Sequence, residues 1–197
     1  MRQTVRSAVL VLLIAACSIT TFGQTQQTPP AQQTPQKERS FEVNFYVSRT
    51  SFSTEGVHFP KGYGGGGGFE AYLFSTPKFA VSMGFTFLHE GSGTSLVRTR
   101  YGMVPAHLSR NSAMSTFNFY ARPEKSFRPY ASLGQGVTTN GITIFGSTQK
   151  QNAYGLFVGG GLKQDVGKHY LVGVLAGITT GGRVVSKGFL VNVGRRW

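Results

Sequence analysis

Val184-Val-Ser-Lys-Gly-Phe-Leu-Val-Asn-Val-Gly-Arg-Arg-Trp197 closes the chain with a period of two. Phe189, Val191, Val193 and Trp197 hold one set of alternate positions. Ser186, Gly188, Asn192 and Gly194 hold the other, with Leu190 the exception. Successive side chains of a strand point to opposite faces, so this is a strand with one apolar and one small, polar face. In a soluble protein the apolar face would cover a core. In a membrane barrel it would face lipid, and the small polar set would face the lumen.

Seven more segments carry the same signature, at 41–53, 64–76, 79–91, 107–121, 128–139, 152–164 and 169–180. The cleanest sets Phe79, Val81, Met83, Phe85 and Phe87 against Ala80, Ser82, Gly84 and Thr86. Connections at 76–78, 121–127 and 165–168 are short. Those at 54–63, 92–106 and 140–151 read as long, with only the last, at Gly181-Gly182, tight. Short turns on one rim and longer loops on the other describe an antiparallel up-and-down barrel, and each segment reaches the roughly 9–11 residues a tilted spanning strand needs. The expected fold is all-β, an eight-stranded antiparallel up-and-down transmembrane β-barrel over residues 41–197. Gly64 to Gly68 lacks the Lys-Ser/Thr of a phosphate loop and reads as the flexible start of the second strand.

The polar sets separate this reading from a soluble barrel or sandwich. They hold mostly Gly, Ser, Thr, Asn and Ala, whereas a water-facing sheet surface is usually charged, partly as protection against aggregation. A narrow barrel interior needs small residues mixed with a few large ones, as Gly155, Gly159 and Gly161 are beside Phe157. Phe41, Phe79, Phe127, Tyr130, Tyr170 and Trp197 fall near segment ends and are expected to form an interfacial girdle.

Residues 1–23 read as a secretory signal peptide, with Arg2 and Arg6 before the apolar run Ala8–Ala16 and small residues at Thr21-Phe22-Gly23. Ile14-Ala15-Ala16-Cys17 also fits a lipoprotein box, in which Cys17 would be lipidated rather than lost. Residues 24–40 are rich in Gln, Thr and Pro and are expected to be a disordered linker. The 20 basic and 7 acidic residues give +13; cleavage leaves 18 against 7, or +11. That charge could suit nucleic acid, but export argues for lipopolysaccharide and other anionic glycans, or for simple solubility of the loops.

Phe127-Arg-Pro-Tyr-Ala-Ser-Leu-Gly-Gln-Gly136 resembles a recurrent strand of small OmpA-like outer-membrane barrels. Gly155-Leu-Phe-Val-Gly-Gly-Gly-Leu-Lys-Gln-Asp-Val-Gly-Lys-His-Tyr170 resembles one of their hairpins, and the terminal Trp197 is similar to their assembly signal. Arg195 departs from that signal, which usually has an apolar residue there. The resemblance spans residues 41–197 and implies the bacterial outer membrane, insertion by the barrel-assembly machinery and a monomer among lipid and lipopolysaccharide.

Glu42, Glu70 and Glu90 fall on inward positions, and Lys163, Arg122 and Arg196 share that parity. Buried charges must pair, so a polar network plugging the lumen is expected, with Glu42 reaching Arg196. An eight-stranded interior is just filled by side chains, which disfavours a wide pore. The nearest approach to a catalytic motif is His107-Leu108-Ser109, similar to the His-x-Ser-Asn element of barrel lipid A deacylases. Arg110 interrupts it, and the next acid, Glu124, belongs to the opposite rim. His58, His89 and His169 show no metal spacing. We therefore expect no catalytic, cofactor or metal site and a non-enzymatic envelope role, with Lys61, Arg98, Arg100, Arg110 and Arg183 facing anionic glycolipid. The alternatives are a small transporter for hydrophobic compounds, resembling OmpW-type barrels, and, more remotely, a lipid A-modifying enzyme.

Overall fold

The structure, a computed structural model, describes residues 41–197. The signal peptide, linker and Cys17 readings lie outside the described residues. Nine strands follow in order: β1 (Phe41–Thr54), β2 (Val57–Ser75), β3 (Phe79–Gly91), β4 (Ser95–Thr99), β5 (Gly102–Ala121), β6 (Phe127–Ile144), β7 (Ser147–Val166), β8 (Tyr170–Gly181) and β9 (Val184–Arg196). All pair antiparallel. The sheet runs β3-β2-β1-β9-β8-β7-β6-β5-β4, and a further β3–β5 pairing closes it into a ring. Eight strands form that ring; β4 stands outside it, as a short hairpin on the first residues of β5.

The first and last strands meet along their whole length, from Glu42 opposite Arg196 to Thr54 opposite Val184. The Trp197 amide donates to the Phe41 carbonyl at 3.1 Å, so both ends of the described chain share one rim. That terminal rim also carries the turns after β2, β5 and β7. Closure leaves no sheet edge in the ring, the condition for β structure in hydrocarbon.

Parity behaves as the sequence predicts. Phe45, Val47, Phe69, Met83, Leu133, Val158 and Val193 point outward and are exposed, whereas Glu42, Asn44, Ser82, Thr138 and Asn192 are buried. Phe157 lies in the lumen over the glycine-lined wall: a Cβ on Gly177 would sit 2.5 Å from its ring. The girdle reading holds for Phe41, Phe79, Phe127, Tyr170 and Trp197, all exposed at the terminal rim. It fails for Tyr130, which is buried and stacks on Tyr120 with ring centroids 5.1 Å apart. Tyr130 shares the even, inward parity of Arg128 and Ser132.

Two of the connections read as long loops are mostly strand. β2 starts at Val57 after the tight turn Glu55-Gly56, and β7 starts at Ser147 after Phe145-Gly146. Both turns have positive φ at both residues, 44° and 82° in one and 52° and 76° in the other. This is the mirror-image turn whose twist suits hairpins. The strands rise beyond the level where one face meets lipid. Above that level the outward face meets water while inward residues such as Phe59 are buried, so the lipid-facing apolar set that marks a strand is lost. In the third long connection only β4 and its short flanks intervene.

The five-glycine run is a correction as well. It is not a flexible lead-in but the middle of β2, with Gly64 to Gly68 paired to Ser48 through Asn44 on one side and Glu90 through Thr86 on the other. A Cβ on Gly66 would lie 1.9 Å from the Phe87 carbonyl oxygen, so β2 and β3 approach too closely for any side chain at that inward position.

Candidate functional site

The lumen concentrates charge where the sequence placed it, with different partners. Toward the terminal rim, Lys163 Nζ donates to Glu42 Oε2 at 2.8 Å and to Glu70 Oε2 at 2.6 Å. Arg128 reaches Glu42 at 3.3 Å and Asp165 at 2.6 Å, and Arg196 reaches Asp165 at 3.0 Å. Six charged side chains from five strands thus form one continuous network. Tyrosines complete it: the Tyr120 hydroxyl donates to Glu70 at 2.5 Å, Tyr72 donates to Glu42 at 3.1 Å, and Ser82 also donates to Glu70. Lys163 Nζ sits 5.2 Å from the Tyr120 ring and 5.6 Å from the Tyr130 ring, within cation–π range.

Desolvating a charge costs several kcal/mol unless it is paired and hydrogen-bonded, and here each carboxylate meets a cation and each cation a carboxylate. The expected Glu42–Arg196 pair does not form. The two residues are opposite in register, but Arg196 turns to Asp165. Arg122 does not enter the lumen. It occupies the turn after β5 with φ 51° and is exposed, because the strand, and with it the parity, ends at Ala121. Arg128 and Asp165 take its place. Both were legible, since each has the inward parity of its strand.

Toward the distal rim a second polar group spans the lumen. Arg110 is fully buried rather than facing glycolipid, a correction to its expected place. It donates to Asn140 Oδ1 at 3.0 Å, to Ser186 Oγ at 2.5 Å and to the Val184 carbonyl at 3.3 Å, and its guanidinium lies 5.3 Å from the Phe52 ring. Glu90 accepts from Thr50 at 2.6 Å and is the register partner of Arg110 across the β3–β5 seam. Above this layer Phe52, Phe59, Ala106, Leu108 and Val184 pack into a buried apolar cluster. Between the two polar layers remains a cavity of about 60 Å³, bordered by Glu70, Glu90, Met114, Phe157 and Leu190. That is room for a few water molecules.

His107 and Ser109 lie on β5 at outward positions, whereas Leu108 between them is buried in the apolar cluster. Ser109 Oγ donates weakly to the Gly141 carbonyl at 3.5 Å, and Glu124 lies in the turn on the other rim. The structure therefore does not assemble the Ser-His-acid constellation that the motif suggested. Among the described residues no three His, Cys, Asp or Glu side chains gather as a metal site.

None of the curated proteins searched matches this chain. The attachment invasion locus protein Ail of Yersinia pestis superposes with a TM-score of 0.54 at 13% identity, covering 81% of this chain and 100% of its own. A structure of Ail with the heparin analogue sucrose octasulfate gives the same values. Neisserial surface protein A gives 0.58 at 13% identity, covering 80% and 97%. At these identities the likeness concerns the fold. The family model described as "Outer membrane protein beta-barrel domain" matches residues 10–196, nearly the whole sequence. The chain belongs to the outer membrane protein beta-barrel domain family and resides in the bacterial outer membrane.

Proposed function

We propose that this protein is a non-enzymatic outer-membrane barrel with a closed lumen, acting through its distal rim on anionic surface ligands such as lipopolysaccharide. The observation that carries the reading is the two-level obstruction of the lumen. The Glu42–Lys163–Glu70 network fills one half, and the Arg110 layer under the Phe52 cluster fills the other. A charge-paired interior of this kind supports rigidity rather than passage.

The rim supports the second half of the reading. Of the six described acidic residues, Glu42, Glu70, Glu90 and Asp165 lie in the lumen, leaving Glu55 and Glu124 exposed. On the distal side Glu55 is paired with Arg183, and Lys61, Arg98 and Arg100 are exposed. The outer surface there is therefore strongly basic, which raises the local concentration of anions. Ail, which has this fold, has been crystallised with a sulfated heparin analogue. Insertion as a monomer by the barrel-assembly machinery is part of the proposal, with Trp197 at the terminal rim as its support.

Single-channel recording of the purified protein in planar bilayers tests the closed lumen: no steps are expected. Steady conductance, or uptake of hydrophobic compounds lost on deletion, would replace this reading with a transporter. For the rim, Lys61→Gln, Arg98→Gln and Arg100→Gln together are expected to weaken lipopolysaccharide binding and to flatten its salt dependence; unchanged binding would refute the partner.

A further inference from the structure

The outer wall of the barrel carries a feature that the closed lumen does not explain. Val47, Gly65, His89, Asn111, Thr139 and Asn152 are successive register partners from β1 through β7, all at outward positions. Immediately below this row the outward residues are apolar, as in Phe87, Ala113 and Val137; one step further down the Ser115–Gln135 pair is the exception, with Gln135 accepting a hydrogen bond from Tyr154. Along it polar side chains face out and satisfy one another: His89 Nδ1 lies 2.6 Å from Asn111 Oδ1, and Thr139 donates to Asn152 at 2.8 Å. Unpaired polar groups are costly against hydrocarbon, so this row marks the border between acyl chains and headgroups in the outer leaflet.

At that border the wall is hollow. An open groove of about 370 Å³ runs over Gly65, His89, Asn111, Ala113 and Val137, with Phe87 as its side wall. That volume falls in the range of roughly 300–1,000 Å³ typical of small-molecule sites. The hollow exists because the outward positions hold glycine and alanine. A Cβ on Gly65 would touch nothing closer than the Tyr46 carbonyl oxygen at 3.4 Å, so no neighbouring side chain covers it. Cations flank the groove on its headgroup side. Arg49, the next outward residue after Val47, lies 5.8 Å from the ring of Tyr63, the next outward residue beyond Gly65. Lys150 is opposite Gly141 beyond Thr139. No described acidic residue lies on this wall; Glu55 and Glu124 belong to rim turns.

We infer that this groove holds one phosphorylated glycolipid of the outer leaflet. An acyl chain lies over Gly65 and Ala113 against Phe87 and Val137. The sugar meets His89, Asn111 and Thr139, and the phosphate meets Arg49 or Lys150. Lipid is the occupant because this face of an outer-membrane barrel lies against the bilayer, and the cations without a neighbouring acid select a phosphate-bearing one. The site is separate from the rim cations and independent of whether the lumen conducts.

The experiment is native mass spectrometry of the full-length mature protein in mild detergent, titrated with bisphosphorylated lipid A. Wild type is expected to retain one lipid A per barrel. Gly65→Leu, which fills the hollow without a backbone clash, is expected to lower retention at least tenfold. Gly160→Leu is the matched control, on the outward face of β7 away from the groove, where a Cβ also has room. Heat-modifiable gel migration verifies that both variants are folded. Arg49→Gln with Lys150→Gln is expected to bring lipid A retention down to that of its dephosphorylated form. Equal retention by Gly65→Leu and Gly160→Leu overturns the proposal, as does equal retention of lipid A and phosphatidylcholine by wild type. A dimer that Gly65→Leu abolishes also overturns it, by making a second copy the occupant.

Discussion

Replacing Lys163 by Met removes the single cation shared by Glu42 and Glu70, and the two carboxylates are left in different situations. Glu42 keeps Arg128 at 3.3 Å and the Tyr72 hydroxyl at 3.1 Å. Glu70 keeps only neutral donors, Ser82 and Tyr120. Breaking one side of a buried charge pair costs about 3–5 kcal/mol, because the surviving charge stays desolvated. Each charged hydrogen bond contributes about 1.5–3 kcal/mol, so the loss of two accounts for that range. Most of the penalty should fall on Glu70. Lys163→Met combined with Glu70→Gln is therefore expected to recover about 2 kcal/mol. Lys163→Met combined with Glu42→Gln should recover clearly less, since it also takes a carboxylate from Arg128. Trp197 is the only tryptophan and sits at the rim, so urea unfolding in lipid vesicles can be followed by its fluorescence. Equal rescue by the two second-site changes would refute the assignment of Glu70 as the dependent partner. A loss below about 1 kcal/mol for Lys163→Met would refute the importance of the network itself.

Other expectations follow from the packing. Gly177→Val sets a Cβ 2.5 Å from the Phe157 ring and 2.8 Å from the Val158 carbonyl oxygen, and overpacking of this kind costs about 1–3 kcal/mol; Phe157→Leu in the same chain should restore only part of it, because the backbone contact remains, as read by the same unfolding assay. Arg110→Met strands Asn140 Oδ1 and the Val184 carbonyl, and a loss of about 2–4 kcal/mol in the unfolding midpoint is expected, whereas Arg98→Met on the exposed β4 should change it by less than about 0.5 kcal/mol. Ser109→Ala should leave the lipid A mass spectrum of the host unchanged; a shift would revive the enzyme reading.

The alternation of Phe79 to Phe87 against Ala80 to Thr86 is enough to place β3, because one face meets lipid along its whole length. The same logic fails at 140–151, where Thr143, Thr148 and Lys150 stand in water on the outward side and the lipid-facing apolar set is gone, although Ile142 and Ile144 still pack inward on the apolar cluster. There the turn residues Phe145-Gly146 carry the signal, and only positive φ values reveal it. In the lumen, parity located Glu42, Glu70, Glu90, Lys163 and Arg196 but could not choose their partners. Pairing across the barrel depends on side-chain length and on which strands face one another, so Arg196 met Asp165 instead of its register neighbour Glu42. The groove at Gly65 was not legible at all. It is a hollow made of four adjacent strands, and a run of glycines in one of them does not show which large side chains stand beside it.

Closure of β1 on β9 also governs how the molecule can come into being. Glu42 belongs to the first strand and Lys163 to the seventh of the nine, 121 residues later. Neither charge can be neutralised while the sheet is still open, and contacts of such long range form slowly. A growing sheet that enters hydrocarbon early would carry bare carboxylates with it. The network therefore makes partial insertion unfavourable and rewards only the finished ring, a cost that bears on assembly whether or not the finished lumen conducts.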